Sequence, residues 1–179
     1  EGGFSAIYPI LKAMEESGRV RRGYFVEGQG GAQFAAAGAD ELLRSPPRDD
    51  QPKPLVLAAT DPASAYGTSV PWPDSPIDET VRPQRAAGAA VILSEGRLLG
   101  YLNRSHQGLT TFIEAADSQA ALLVQALADR ARQRGWLLLA DIDGARPMAS
   151  PLAPLLVRAG FAHTTRGLLC RPERSQDWL

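Results

Sequence analysis

The sequence predicts an α+β chain: a helix and an arginine-bearing hairpin, a proline-rich linker, then a small barrel-like or curled antiparallel sheet with two covering helices. Three observations carry this expectation. Helical spacing at the start gives way to a Tyr, Phe and Val run broken by glycines. From Ala86 onward short apolar runs alternate with turn signals. Two later segments, opened by Asp117-Ser118 and by Ser150-Pro151, return to helical spacing. A hydrophobic content of 44% in 179 residues is enough to bury a sizeable core.

Taken in order, Phe4, Ile7, Tyr8, Leu11 and Met14 repeat at helical spacing, and Gly18 stands where a C-cap glycine belongs. Pro9 interrupts the pattern, so either the regular helix begins at Tyr8 with Pro9 in its first turn or the helix is kinked there. Val20 to Val26, the break Glu27-Gly28-Gln29-Gly30-Gly31 and the resumption at Ala32 to Ala36 read as a hairpin with a glycine-rich tip. A helix followed at once by a hairpin with arginines at its base is what the second half of a winged-helix unit looks like. Gly38 to Arg44 can form a short helix. Ser45 to Pro54, polar and proline-rich, is a linker, which divides the chain into residues 1–44, 45–54 and 55–179.

Beyond the linker, Leu55 to Ala59 is a short strand, followed by a long irregular loop that holds Asp61, Pro62, Tyr66, Gly67, Pro71, Trp72 and Pro73. Ala89 to Leu93, Arg97 to Leu102 and Gly108 to Ile113, separated by Glu95-Gly96 and by Asn103 to Gln107, predict a three-stranded meander. Asp117 and Ser118 open a helix whose apolar face runs through Leu122, Leu123, Ala126, Leu127 and Ala131 to Gly135. Trp136 to Asp141 reads as a buried-type strand. Ser150 caps a second helix with Pro151 at its first position, and Phe161 to Thr164 and Gly167 to Arg171 are edge-strand candidates.

Nineteen Lys and Arg against 20 Asp and Glu leave a net charge of -1, so any attraction to nucleic acid must come from local clusters such as Arg19, Arg21 and Arg22, or Arg130, Arg132 and Arg134. The single Cys170 excludes an intramolecular disulfide and a Cys-rich zinc site and fits a cytoplasmic protein. Trp136 to Ala140 and Leu152 to Val157 are too short to cross a bilayer, so no membrane partner is expected. The first residue is Glu1 and no signal pattern follows, which reads as a piece of a longer polypeptide.

Several patches resemble, in order, a segment near the C-terminus of large helicase-related (Lhr-type) DNA helicases. They are Gly18-Arg19-Val20-Arg21-Arg22-Gly23-Tyr24-Phe25-Val26-Glu27-Gly28 with Gly30-Gly31-Ala32-Gln33-Phe34, Ala59-Thr60-Asp61-Pro62 with Tyr66-Gly67 and Pro71-Trp72-Pro73, and Arg82-Pro83 leading into the strand from Ala89. Together they span nearly the whole chain. The resemblance implies a superfamily-2 motor elsewhere in the parent, then tandem winged helices and a terminal barrel-like module similar to bacterial winged-helix DNA glycosylases. On that expectation, residues up to about Arg44 finish a winged helix and the remainder is the terminal module. The only lysines, Lys12 and Lys53, do not follow a phosphate-loop glycine run, so ATP and Mg belong to the parent's motor and this piece is expected to hold no cofactor. Implied partners are single-stranded or forked DNA and a second copy of the chain, held through the C-terminal region.

Breaking an N-glycosidic bond builds an oxocarbenium-like sugar, so a glycosylase needs a carboxylate beside it and an aromatic pocket for the extruded base. The resemblance brings forward Asp177, because Gln176-Asp177 is similar to the Gln-x-Asp pairing of the related glycosylases, with a different spacing. Asp61 is the second candidate, against an Asx-turn before Pro62. Asp141 and Asp143 at a strand end are the third, against an ordinary polar turn. Tyr24, Tyr66 and Trp72 are the loop or hairpin aromatics. Arg19, Arg21, Arg22, Tyr24 and Gln29 are the expected DNA contacts, against salt bridges to Glu15, Glu16 and Glu27. His106 and His163 lack ligand-spaced neighbours, so no metal is expected, and Cys170 reads as packing. The activity reading is therefore uracil or damaged-base excision. The alternatives are a non-catalytic DNA-binding and oligomerisation module and an unrelated protein-interaction module.

Overall fold

A computed structural model describes residues 3–46, 51–74 and 82–172, and the chain separates into two compact units, Glu1–Asp50 and Gln51–Leu179. In the first unit, helix α1 (Gly3–Glu16) runs unbroken past Pro9. The helix therefore starts well before Tyr8, and Pro9 costs it one backbone hydrogen bond instead of starting it. It closes as the glycine predicts: the Arg19 N–H reaches Met14 O at 2.8 Å and the Gly18 N–H reaches Glu15 O at 2.9 Å. Strands β1 (Val20–Gly23) and β2 (Gln33–Ala36) pair antiparallel from Val20 opposite Ala36 to Gly23 opposite Gln33. The first strand thus ends three residues before the predicted Val26. The short helix α2 (Ala39–Arg44) follows. Phe4 and Tyr8 of α1 pack on Phe34 of β2, with ring centroids 6.5 and 6.1 Å apart.

The second unit holds a five-stranded sheet in the order β3 (Leu55–Ala58), β4 (Ala90–Ser94), β5 (Arg97–Leu102), β6 (Gly108–Thr111), β8 (Asp141–Ile142). The meander is as predicted. Glu95 and Gly96, both with positive φ, make the tight two-residue turn that joins β4 to β5. The sheet is open: β3 and β8 are its edges, and β8 joins β6 in parallel, so it does not close into a barrel. A separate three-stranded sheet places β10 (Gly167–Cys170) between β7 (Leu137–Leu139) and β9 (Phe161–Thr164). Of the two predicted edge strands only β9 is one. Trp136, half exposed, stays outside β7.

Every residue of β4 is buried, because both faces of the sheet are covered. On one face Ala90, Ile92, Leu99 and Leu109 meet Leu123 and Leu127 of α3 (Ala120–Arg134) and Leu156 of α4 (Ala153–Arg158). These are the two covering helices of the sequence reading, but each begins later than predicted. Gln119, not Asp117 or Ser118, stands at the N-cap of α3, and Leu152, not Ser150, at that of α4, with Pro151 before the helix. On the other face Val91, Leu93, Leu98 and Tyr101 are roofed by the irregular loop, through Ala59, Tyr66 and Trp72. That loop is a packed layer. Arg85 ties it down, donating to Ser64 O (2.7 Å), Asp61 O (3.2 Å) and Tyr66 O (3.3 Å). Among the described residues no helix is long and apolar enough to cross a membrane.

His106 pins the end of α3. Its Nε2–H donates to Gly88 O at 2.8 Å and its Nδ1 accepts from Arg134 at 2.9 Å, so the tautomer is set by its partners. Burial, with Arg134 and Arg130 beside it, holds the imidazole below the usual histidine range. The unfolded chain then binds a proton that the folded one refuses. Stability from this group is full above the unfolded pKa and is lost as pH falls through it, from about 6.5 downward. The melting temperature is expected to drop between about pH 7.5 and 5.5, and less steeply in His106→Asn, whose side chain tolerates the positive φ of this position.

Candidate nucleic-acid interface and carboxylates

Strand alternation splits the hairpin arginines. Arg22 shares the face of Val20 and turns to α1, where its guanidinium lies 3.4 Å from the Tyr8 hydroxyl. Arg21 turns to the other face and meets Asp40 of α2 at 3.9 Å. Neither pairs with the glutamates the sequence offered, Glu15, Glu16 and Glu27. Arg21 and Arg22 are both largely exposed, as is Arg19 at the foot of the hairpin. Exposed pairs of this kind contribute little to stability and leave the guanidinium groups open to a phosphate.

Tyr24 opens the connection between β1 and β2 and is 92% exposed. Gln29 sits near the tip, and its carbonyl oxygen accepts from the Gln33 side chain at 2.9 Å. Tyr66 and Trp72, the other two aromatics singled out for base stacking, are spent on packing. They stack on each other at 6.3 Å, Trp72 lies edge-on to Tyr101 at 5.7 Å, and the Tyr66 hydroxyl donates to Gly96 O at 3.0 Å while accepting the Leu98 N–H. Only Tyr24 of the three presents its ring to solvent.

The carboxylates sort in the same way. Asp61 accepts the Ala63 N–H at 2.8 Å, the Asx-turn geometry that competes with a catalytic role, and its backbone carbonyl serves Arg85. Asp141 closes a turn by accepting the Gly144 N–H at 3.0 Å. Asp143 is different. Its two oxygens take the backbone N–H and the hydroxyl of Thr111, each at 2.7 Å, and it lines a cavity of about 490 Å³ with Thr111, Glu114 and Ser150. Burial pushes this carboxyl up against the pull of the Thr111 hydrogen bonds, and Asp141 adds to the rise. Nearby, Asp117 is held below the usual carboxylate range, chiefly by the Gln119 N–H and also by Arg97 at 2.9 Å. Asp177 lies outside the described residues.

The remaining candidates are structural. His106 is the buried pin described above, and burial raises the Cys170 thiol, which disfavours a thiolate. Arg134 is bound to His106 and Arg132 to Asp129, so the helix α3 arginines do not form one open stripe. No group of three or more His, Cys, Asp or Glu side chains that could hold a metal occurs among the described residues. The residue that sequence reasoning passed over is Gln33, whose side chain makes four hydrogen bonds to the loop it closes. Its one signal was position, a long polar side chain at the first paired residue after a glycine run.

Residues 1–55 match the family described as large helicase-related protein, winged-helix domain. The chain is 40% identical over 187 residues to the Lhr helicase/probable uracil glycosylase of Mycolicibacterium smegmatis, an alignment over 95% of this chain and 12% of that protein. It is 35% identical over 173 residues to the Lhr helicase/uracil glycosylase of Escherichia coli, over 93% of this chain and 11% of that protein. It thus spans about an eighth of the length of these relatives. The helix and arginine-bearing hairpin of the first unit fall within the matched winged-helix domain, and the identity continues through the two-sheet unit that follows: the chain belongs to the large helicase-related (Lhr-type) family, as a C-terminal region of it.

Proposed function

We propose that this chain is the DNA-binding and base-excision region of an Lhr-type helicase, acting on uracil or a damaged base in single-stranded or forked DNA. The observation that carries the reading is the near full-length similarity to two relatives whose names pair a helicase with a uracil glycosylase. ATP and Mg serve the parent's motor, outside this chain. In the proposed reaction the glycosidic bond breaks with the electron pair leaving on the base, water adds at the sugar carbon, and free base and an abasic site result. Arg19, Arg21 and Arg22 hold phosphate, while Tyr24 and Gln29 meet the strand at the hairpin.

Asp177 is the proposed carboxylate that stabilises the sugar cation or activates the water. Asp61 is the weaker candidate, since its side chain already closes a turn. Incubating the chain with a uracil-containing single strand is expected to yield alkali-labile sites. Asp177→Ala is expected to lower that yield by about 100-fold or more, with DNA binding retained. An inactive wild type that still binds would leave the second reading, a DNA-binding and oligomerisation module. That reading draws on the open edges of both sheets, and light scattering would report the assembly. It draws less on α3, whose Leu123 and Leu127 are fully buried in the unit's own core.

A further inference from the structure

We propose that Gln33 is the positioning residue of the hairpin connection: its side-chain amide holds residues 24–29 in one conformation, which presents Tyr24 as a stacking surface for an unpaired nucleobase. The proposal rests on the nucleic-acid reading above and adds to it a residue, a geometry and a ligand class.

Gln33 is the last paired residue of the hairpin, opposite Gly23, and so stands at the neck of the connection. Its Oε1 accepts the N–H groups of both Phe25 and Val26 at 2.8 Å. Its Nε2 donates to Val26 O at 3.0 Å and Gln29 O at 2.9 Å. N–H groups can only donate and carbonyls only accept, so these partners fix which end of the amide is which, and both of its N–H donors are engaged. Within the connection the turn bond from Gln29 N–H to Val26 O is long, at 3.4 Å.

The clamp decides where the neighbouring rings go. Phe25, caught through its N–H, lays its ring against Gly23, where an added Cβ would stand 3.2 Å from it. Tyr24, one residue earlier, is left pointing to solvent at 92% exposure, two positions along the chain from the exposed Arg22. A lone exposed aromatic is ordinary on a protein surface. Here, however, the backbone that carries it is held by four side-chain bonds, so little freedom remains to be lost when a base stacks on it. A flat exposed ring suits stacking by a base and does not depend on base identity.

The test measures binding of the 179-residue chain to a fluorescent single-stranded oligonucleotide and amide exchange at Phe25 and Val26. Tyr24→Ala and Gln33→Ala are each expected to weaken binding roughly ten-fold, and the double variant no further, because Gln33 acts through Tyr24. In Gln33→Glu a carboxylate faces Val26 O and Gln29 O. Binding relative to wild type is expected to fall as in Gln33→Ala at about pH 8 and to recover in part at about pH 4, below the ordinary glutamate pKa of about 4.3, where a protonated carboxyl donates one of the two bonds back. A purely fold-stabilising glutamine would move the unfolding midpoint without that non-additivity. Full additivity, no recovery on acidification, or equal exchange at Phe25 and Val26 in wild type and Gln33→Ala would overturn the proposal. If wild type itself fails to bind the strand, the nucleic-acid reading falls, and the exchange rates still decide the clamp.

Discussion

Gly167→Ala is expected to unfold the second unit under mild conditions, at a cost of about 3 kcal/mol or more and a melting temperature lower by roughly 10 °C. Two independent penalties meet at this position. Its φ of 132° lies in a region that side chains rarely adopt, and a Cβ there would overlap the Leu139 carbonyl oxygen and stand 2.9 Å from Ala140 Cα. Neither neighbour can easily give way, since Leu139 is backbone of the strand that β10 pairs with, Leu168 lying opposite it, and Ala140 follows it directly in the chain. The Thr164 hydroxyl, donating to Gly167 O at 2.9 Å, fixes the turn from the other side. Thermal unfolding followed by circular dichroism checks this, and a variant that melts with wild type would show that β10 can shift along β7.

Arg85→Met is expected to cost about 2 kcal/mol and to loosen the roof over the sheet, because one guanidinium serves three backbone carbonyls. Methionine keeps much of the stem and removes only the donors. The carbonyls of Asp61, Ser64 and Tyr66 would then depend on water to satisfy them. Amide exchange at Ser64 and Gly67, whose N–H groups bond to Asp61 O and Val70 O inside the loop, is expected to speed up while exchange in β5 stays slow. Unchanged exchange would mean that the Tyr66, Trp72 and Tyr101 stack holds the loop alone.

These two variants bear on which residues the function can use. Tyr66, Gly67, Pro71 and Trp72 sit in patches that carried the family resemblance, which invites reading them as contacts. The structure spends Tyr66 and Trp72 on covering β4 and β5. Tyr24 and the arginines of β1, from the same resemblance, are left on the surface.

Local chemistry made much of the fold legible. The Gly18 and Gly135 helix ends, the Glu95-Gly96 turn, the β4–β6 meander and the two covering helices all follow from short-range patterns, because a cap or a two-residue turn involves only residues a few positions apart. What required the tertiary structure was every pairing at long range. Sequence alone could not place β8 beside β6, set β10 between β7 and β9, or cover the second sheet face with a loop. The same limit governed the site. Residue types pointed to Arg19, Arg21, Arg22, Tyr24, Asp61 and Asp143, but the roles of the last two depended on Ala63 and on Thr111, the second of them 32 positions away in the chain. Periodicity reports which face of an element is apolar. Only packing decides what that face meets, and so which polar side chains are used up inside the fold and which remain for a ligand.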